Sequence, residues 1–284
     1  MADKANLRVA VLGAGTMGSG IAQVCALAGC KAILYDVKEE FVRGGMERIG
    51  NSLKQGVEKG KVKSEEMKIA LDAIKPVTEL KEVKADIIIE AIPEDLALKQ
   101  KIFSELENIN GAKALLLSNT STIPITRIAS VLKNPGNCAG LHFFNPAHIM
   151  KLVEIIAGES TSEDTIQQVR KFAEIIGKKA VLAKDSPGFI VNRVARHFYV
   201  ESLKILEENI ADIETIDQLI QSTGFKMGPF KLMDLIGVDV NFAVTQSMYN
   251  SFHQDSKFRP SRIQQQKVEA GHLGRKSGRG FYAY

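Results

Sequence analysis

The amino-acid sequence predicts an α/β domain with a mostly parallel sheet, followed by a smaller all-helical domain. Short β-rich runs alternate with helical patterns through the first part of the chain, and such alternation is typical of βαβ units. A glycine-rich turn, GAGTMG, joins the first strand to the first helix. After Lys184 strand-like runs almost disappear, while helical periodicity continues.

Seven short aliphatic runs are predicted as strands. Helical segments lie between most of them, and the first of these helices covers residues 17–28. The predicted strands are LRVAVLG (7–13), CKAILYD (30–36), ADIIIEAI (85–92), KALLLSNT (113–120), CAGLHFF (138–144), KLVEIIA (151–157) and KKAVLAK (178–184).

The helix before the last of these strands has the clearest local signals. Thr161 and Asp164 have the spacing of a capping box, and Gly177 predicts the helix end. One apolar face is predicted from residues at three- and four-residue steps, namely Ile166, Val169, Phe172 and Ile176.

The composition changes near Asp185–Pro187, where Ser-Pro-Gly precedes a long helical pattern. TIDQLIQSTGF and VDVNFAVTQSMYNSFHQ are further helical segments. We therefore predict a sheet domain at residues 1–185 and a helical domain at residues 186–284.

Composition and charge exclude several classes of protein. The chain is 45% hydrophobic and 25% charged, and its net charge of +4 is too small to indicate nucleic-acid binding. It has no apolar run of about 18 residues, so no membrane span is predicted, and the N-terminus lacks signal-peptide features. The cysteines, Cys25, Cys30 and Cys138, are odd in number and without CxxC spacing. They predict reduced thiols in a cytoplasmic protein, with no metal site.

The GAGTMG turn matches the Rossmann-type G-x-G-x-x-G pattern. Gly13 permits the tight turn, Gly15 lets a pyrophosphate approach the backbone, and Gly18 allows the helix to pack closely on the strand. The helix N-terminus offers N–H groups to the anion. The predicted dinucleotide-binding residues of the turn are therefore Gly13, Ala14, Gly15, Thr16, Met17 and Gly18.

Asp36 ends the next predicted strand, 18 residues after Gly18. Its carboxylate can accept hydrogen bonds from both hydroxyls of an adenosine ribose and would repel a 2′-phosphate. This favours NAD, and Lys38 nearby leaves NADP open. The alternative is a glycine-rich turn without a ligand.

Hydride transfer from an alcohol needs a base, and histidine is suited to that role near neutral pH. Among five histidines, His142 has the best position because it follows a strand of the predicted sheet. Glu154 lies in an apolar run, where a carboxylate is costly unless paired. Paired with His142, it would fix the histidine tautomer. Alternatively, His142 is structural and Glu154 points outward.

Two polar stretches end or begin predicted elements. SNTSTIP (118–124) contains Ser121 among other hydroxyls, and SPGFIVNR (186–193) places Asn192 in the first turns of a helix. For each stretch, a helix cap or turn and a contact with a ligand are equally good interpretations.

The sequence resembles the short-chain L-3-hydroxyacyl-CoA dehydrogenases, and most of all the bacterial 3-hydroxybutyryl-CoA dehydrogenases. The resemblance rests on stretches in order along nearly the whole chain: GAGTMGSGIAQ (13–23), EAIPEDLALK (90–99), SNTST (118–122), GLHFFNP (140–146), KLVEII (151–156), DSPGFIVNR (185–193), MGPFKLMDLIG (227–237) and KSGRGFY (276–282).

The resemblance implies roles for individual residues. His142 would be the general acid/base, Glu154 its partner, and Ser121 and Asn192 the hydrogen-bonding contacts of the substrate. Ser52 and Lys59 would contact the coenzyme A portion, although that lysine-rich segment also reads as a solvated helix face. Beyond the glycine turn and Asp36, cofactor contacts are implied for Glu94, Lys99, Ser121, Asn145 and Lys276.

The implied reaction is the reversible, NAD-linked interconversion of (S)-3-hydroxybutyryl-CoA and acetoacetyl-CoA, in butanoate or fatty-acid metabolism. The family also implies a homodimer formed through the helical domain. One alternative is a dehydrogenase of free 3-hydroxyacids, which would be expected to use a catalytic lysine. Another is a relative that binds NADH without turnover, against which the complete set His142, Glu154, Ser121 and Asn192 argues.

Overall fold

The computed structural model describes residues 6–284 and forms two compact units, one ending at Ser186 and the other beginning at Pro187. The N-terminal unit contains an eight-stranded sheet and six α-helices among the described residues. Its elements are β1 (Arg8–Leu12), α1 (Thr16–Leu27), β2 (Lys31–Tyr35), α2 (Glu39–Glu58), α3 (Ser64–Asp72), β3 (Ile74–Val77), β4 (Ile87–Glu90), α4 (Leu96–Asn110), β5 (Leu115–Ser118), α5 (Ile125–Ala129), β6 (Cys138–Phe143), β7 (Leu152–Ala157), α6 (Glu163–Ile175) and β8 (Lys179–Lys184).

The strands follow the order β3-β2-β1-β4-β5-β6-β7-β8. All neighbours are parallel except β6 and β7, which pair antiparallel. The chain leaves β1 toward one edge and returns at β4 on the other side of β1, which creates a crevice at the carboxyl ends of these strands. Ligands of open α/β sheets bind at such a point. The predicted Rossmann-type, mostly parallel sheet is therefore confirmed.

The core of the sheet is apolar on both faces. In β4 and β5 every residue is buried, including the terminal Glu90 and Ser118. Continuous apolar strands of this kind are typical of parallel sheets covered by helices on both faces. The buried polar residues at the strand ends are thus exceptions that need hydrogen-bond partners.

The edge strand β3 was absent from the sequence prediction. Its sequence is IKPV, and only Ile74 and Val77 of its four residues are buried. Proline cannot donate to a strand ladder, so Pro76 argues against a strand from sequence and is tolerated at a sheet edge. Pairing with β2 alone is consistent with that position.

The capping prediction for α6 was wrong by one residue. Ser162 is the N-cap, and its hydroxyl accepts a hydrogen bond from the Thr165 N–H. Thr161 instead donates to the Cys138 carbonyl and accepts from the Gly158 N–H. The helix end and the apolar face are confirmed, because Gly177 has a φ of 69° and the four predicted residues are buried.

The C-terminal unit consists of helices and a short bridged tail. The helices are α7 (Val191–Glu207), α8 (Ile213–Ser222), α9 (Pro229–Ile236), α10 (Val238–Ser251) and α11 (Arg262–Glu269). Two buried aspartates connect them to the tail. Asp217 accepts hydrogen bonds from the Phe230 and Lys231 N–H groups and the Tyr282 hydroxyl. Asp234 accepts from the N–H groups of Phe281 and Tyr282.

The helical character predicted for this part of the chain is confirmed. Across residues 6–284, no helix is both long enough and apolar enough to cross a membrane.

Candidate active site

The glycine turn between β1 and α1 has the shape that a pyrophosphate needs. A Cβ on Gly13 would lie 2.5 Å from the Ala91 carbonyl oxygen, and one on Gly18 would lie 1.7 Å from the Gly13 oxygen. Both positions therefore require glycine. A Cβ on Gly15 would meet nothing within 4 Å, so the backbone there is open to a ligand. Gly15 is also the N-cap of α1, and the first-turn N–H groups can face an anion.

Asp36 lies at the carboxyl end of β2, beside the glycine turn. Its Oδ2 accepts a hydrogen bond from the Ala14 N–H, and its Oδ1 accepts one from the Val37 N–H, each at 2.7 Å. A carboxylate oxygen has two acceptor positions, so both oxygens can still accept a ribose hydroxyl. The turn and Asp36 together fit the adenosine and pyrophosphate portions of NAD.

His142 and Glu154 face each other across the one antiparallel strand pair of the described sheet. They are opposite in the β6–β7 register, which directs their side chains to the same face. Histidine Nδ1 lies 2.7 Å from Glu154 Oε2, and the residues are 4% and 1% exposed. Such a contact fixes the imidazole orientation and stabilises the imidazolium form. The contact predicted from the sequence is present.

The Ser121 hydroxyl lies on the other side of the imidazole. Its Oγ is 3.2 Å from His142 Nε2, within hydrogen-bond distance. Ser121 belongs to the loop 118–122, which begins at the last residue of β5, so it reaches His142 from the carboxyl edge of the neighbouring strand. The hydroxyl, imidazole and carboxylate form a continuous hydrogen-bonded row, with proton transfer possible at Nε2.

Glu94 is bonded to the loop that carries Ser121. Its Oε1 accepts hydrogen bonds from the N–H groups of Ser121 and Thr122 and from the hydroxyls of Thr120 and Thr122. Burial alone would raise the pKa of Glu94, but Lys99 and the Thr120 hydroxyl hold it below its usual value. Its side chain remains 40% exposed, so a ligand can reach it.

Lys99, for which the resemblance implies a cofactor contact, is buried between two glutamates. Its side chain is 1% exposed, and its ammonium group lies 2.5 Å from Glu90 Oε1 and 3.2 Å from Glu94 Oε2. In this arrangement it has no surface for direct contact with a cofactor. Burial raises the pKa of Glu90, and Lys99 opposes the shift.

The residues predicted to contact coenzyme A lie on α2 and at its end. Ser52 Oγ is 3.4 Å from His148 Nε2, whereas Lys59 is the exposed C-cap residue of the helix. Asn145 and His148 follow β6 in a segment held by Lys178, whose ammonium donates to the Ala147 and Met150 carbonyls. His148, without a role in the sequence interpretation, is thus the neighbour of Ser52.

Two predicted site residues belong to the C-terminal unit. Asn192 is the second residue of α7, and Lys276 pairs with the Asp239 carboxylate at 2.6 Å. Their predicted contacts with substrate and cofactor stay predictions.

Sequence reasoning missed Glu90, which contacts both Lys99 and Ser118. A usable signal was present, because Glu90 follows three isoleucines just as Glu154 lies among apolar neighbours. The partner could not be predicted, since Lys99 reads as one of several exposed lysines on a helix.

Comparison with known proteins agrees with this geometry. Residues 8–186 match the family model described as 3-hydroxyacyl-CoA dehydrogenase, NAD binding domain, and residues 188–284 match that of the 3-hydroxyacyl-CoA dehydrogenase C-terminal domain. The chain is 45% identical over 276 residues to a 3-hydroxyadipyl-CoA dehydrogenase of Escherichia coli, of which it spans 58%. It is 42% identical to a probable 3-hydroxybutyryl-CoA dehydrogenase of Bacillus subtilis, covering 98% of this chain and 97% of that protein.

Solved structures show the same similarity. The crystal structure of the (S)-3-hydroxybutyryl-CoA dehydrogenase of Ralstonia eutropha superposes with a TM-score of 0.93 at 39% identity, covering 98% of each chain.

Proposed function

Because the chain belongs to the 3-hydroxyacyl-CoA dehydrogenase family, we propose that it interconverts (S)-3-hydroxybutyryl-CoA and acetoacetyl-CoA with NAD. The observation that most supports this reaction is the row Ser121–His142–Glu154 at the carboxyl edge of the sheet. The B. subtilis relative, which this chain matches along nearly its full length, supports the four-carbon substrate.

In the reductive direction the substrate oxygen gains a proton as its carbon gains a hydride, which bound NADH supplies. His142 donates the proton from Nε2, while Glu154 at Nδ1 keeps the ring oriented and balances the imidazolium charge. The Ser121 hydroxyl donates a hydrogen bond to the oxygen as negative charge develops there. In the oxidative direction His142 accepts the same proton. We propose Asn192 as a further substrate contact.

For the cofactor we propose binding by the residues of the glycine turn from Gly13 to Gly18, Asp36, Glu94, Asn145 and Lys276. Asp36 favours NAD because its carboxylate would repel the 2′-phosphate of NADP. For coenzyme A we propose contacts from Ser52 and Lys59. Lysines around residues 54–63 can attract its phosphates electrostatically.

We also propose a homodimer formed through the helical unit, in the cytoplasm. Large apolar side chains are exposed on that unit, among them Val194 at 69%, Ile210 at 67% and Leu219 at 63%. Burial of these side chains between two helical units would remove their apolar surface from water. The cytoplasmic location rests on the three buried thiols. Light scattering of the purified protein, with a measured mass near 62 kDa for a dimer of 31.1 kDa chains, tests the assembly.

Steady-state kinetics with acetoacetyl-CoA test the reaction directly. We expect turnover with NADH, much weaker turnover with NADPH, and very little with free acetoacetate in place of the thioester. Longer and dicarboxylic 3-oxoacyl-CoA substrates should be compared, since one relative acts on 3-hydroxyadipyl-CoA. Turnover of acetoacetate equal to that of acetoacetyl-CoA would favour the free-acid dehydrogenase, and binding of NADH without turnover would favour a non-catalytic protein.

A further inference from the structure

Glu90 and Lys99 form a buried ion pair beneath the loop 118–122. We propose that this pair is a positioning device, which holds the loop and thereby keeps the Ser121 hydroxyl beside His142. The proposal rests on the dehydrogenase function proposed above, and it gives Lys99 an indirect role in place of a direct cofactor contact.

The pair is enclosed by the N-terminal unit. Glu90 and Lys99 have side chains that are 0% and 1% exposed, and Glu90 also accepts a hydrogen bond from the Ile92 N–H. Desolvation makes a buried ion pair weak as a source of stability, and apolar residues of similar volume often replace one without loss. A contribution to geometry is therefore a better explanation of the pair than a contribution to the free energy of unfolding.

One connection to the loop runs through Ser118. Glu90 and Ser118 are opposite each other at the ends of β4 and β5. The Ser118 hydroxyl donates to Glu90 Oε2 at 2.7 Å and accepts from the Thr120 N–H at 3.2 Å. The position at which the loop leaves the strand is thus fixed by the Glu90 carboxylate.

A second connection runs through Lys99 and Glu94. The ammonium lies between the two glutamates, 2.5 Å from Glu90 Oε1 and 3.2 Å from Glu94 Oε2. The other oxygen of Glu94 accepts from the Ser121 and Thr122 N–H groups at 3.1 and 3.2 Å. Orientation of the Glu94 carboxylate by Lys99 therefore fixes the backbone at Ser121 itself.

The loop is also bonded to the strand that carries His142. The Asn119 side-chain oxygen accepts a hydrogen bond from the Phe143 N–H at 2.8 Å. A loop held by Glu90, Glu94 and Phe143 leaves Ser121 little freedom relative to the imidazole. Loss of the Glu90 charge should release Lys99 toward Glu94 and loosen this arrangement.

The test is a double-mutant cycle between Glu90→Gln and Ser121→Ala. Glutamine keeps the volume of the side chain and removes its charge. We expect Glu90→Gln to lower kcat about 10- to 100-fold, since small misplacements of reacting groups have effects of this size, with little change in KM for acetoacetyl-CoA. In the Ser121→Ala background the same substitution should cause almost no further loss. An unchanged kcat, or losses that multiply, would overturn the proposal.

Glu107→Gln is the matched control. Glu107 is a buried carboxylate on α4 that accepts hydrogen bonds from the Lys133 and Asn134 N–H groups, at a different loop. This variant should lower Tm without changing kcat. Should Glu90→Gln fail to fold, Ser118→Ala removes a single hydroxyl from the same network and must show the same non-additivity with Ser121→Ala.

Hydrogen exchange separates this inference from the proposed function. The amides of residues 118–122 should exchange faster in Glu90→Gln, or in Ser118→Ala, than in the unsubstituted protein or Glu107→Gln. Equal exchange in all of them would overturn the positioning role even if the enzyme is active. Failure of the unsubstituted protein to reduce acetoacetyl-CoA would instead contradict the proposed function, while the exchange rates still decide whether the pair holds the loop.

Discussion

At the scale of single residues, the proposed proton transfer is tested first by His142→Gln. The variant lacks the imidazole that lies 3.2 Å from Ser121 and 2.7 Å from Glu154. We expect kcat to fall by about two to four orders of magnitude, the usual contribution of acid–base catalysis. Affinity for NADH, measured by fluorescence titration, should barely change. Nearly full kcat in the variant would contradict the role of His142.

Glu154→Gln tests the orienting role separately. An amide can still contact Nδ1, but it cannot balance the charge of the imidazolium. We therefore expect a large fall in kcat together with a pH–rate profile displaced from that of the unsubstituted enzyme. A profile that superposes on the original would remove Glu154 from the mechanism. Glu107→Gln, which removes another buried carboxylate of the same unit, is the control.

Polar groups in apolar strands made His142 and Glu154 candidates for a pair, and the family resemblance favoured that pairing over the structural alternative. The distance between them depends on the β6–β7 register, which residue types alone did not determine. For the pair Glu90 and Lys99, only one partner could be recognised in the sequence as a charged residue in an apolar strand. The charge of Glu90 in IIIEA was visible, whereas the burial of Lys99 depends on how α4 packs beside β4.

At the scale of elements, the N-cap of α6 leads to a stability prediction. Ser162→Ala removes the hydroxyl that accepts from the Thr165 N–H at 3.1 Å, so we expect a loss of about 1 kcal/mol. Urea unfolding monitored by circular dichroism measures this change. Asp164→Ala is the comparison, since that residue lies in the first turn without the capping role. Equal losses in the two variants would contradict the assignment of the cap.

Strand composition predicted seven of the eight described strands within two residues at each end, and β3 was the exception. A strand at a sheet edge needs fewer apolar residues and tolerates proline, so its sequence resembles a loop. The first residue of α6 was also misjudged, because Thr161, Ser162 and Asp164 are all acceptable near a helix start. Ser162 is the N-cap because of the backbone geometry at the start of the helix, which composition does not determine.

At the scale of the whole molecule, we expect the stability of the helical unit to depend on the protonation state of Tyr282. Burial, followed by the hydrogen bond to Asp217, raises the pKa of Tyr282 above its ordinary value. A group with a raised pKa in the folded state stabilises fully below its unfolded pKa, about 10 for tyrosine. That contribution is lost as the pH rises above this value. We expect stability to fall at alkaline pH partly through this residue.

Tyr282→Phe provides the measurement. Phenylalanine cannot ionise, so Tm of the variant should fall less steeply between pH 9 and 11 than Tm of the unsubstituted protein, although the variant should be less stable at pH 8. Tyr199→Phe is a useful comparison. Burial also raises the pKa of Tyr199, but the hydrogen bond to Asp217 raises the pKa of Tyr282 alone. Parallel pH curves for the unsubstituted protein and Tyr282→Phe would contradict the prediction.

The sheet followed by helices could be predicted from strand and helix patterns along the chain. The interior of the helical unit could not. Asp217 and Asp234 read as surface aspartates on amphipathic helices, yet both are buried and bonded to backbone N–H groups of other segments. Their partners are distant in sequence, so only the folded arrangement explains why carboxylates are tolerated there.

The antiparallel pairing of β6 with β7 has a consequence for how this chain can change in evolution. His142 faces Glu154, but its neighbours in that register are Val153 and Ile155. A single-residue deletion inside either strand, between the paired residue and the turn, would place His142 and Glu154 on opposite faces of the sheet. Insertions in the connecting segment 144–151 leave the register intact. Changes of length among descendants of this gene should therefore be rare within the two strands.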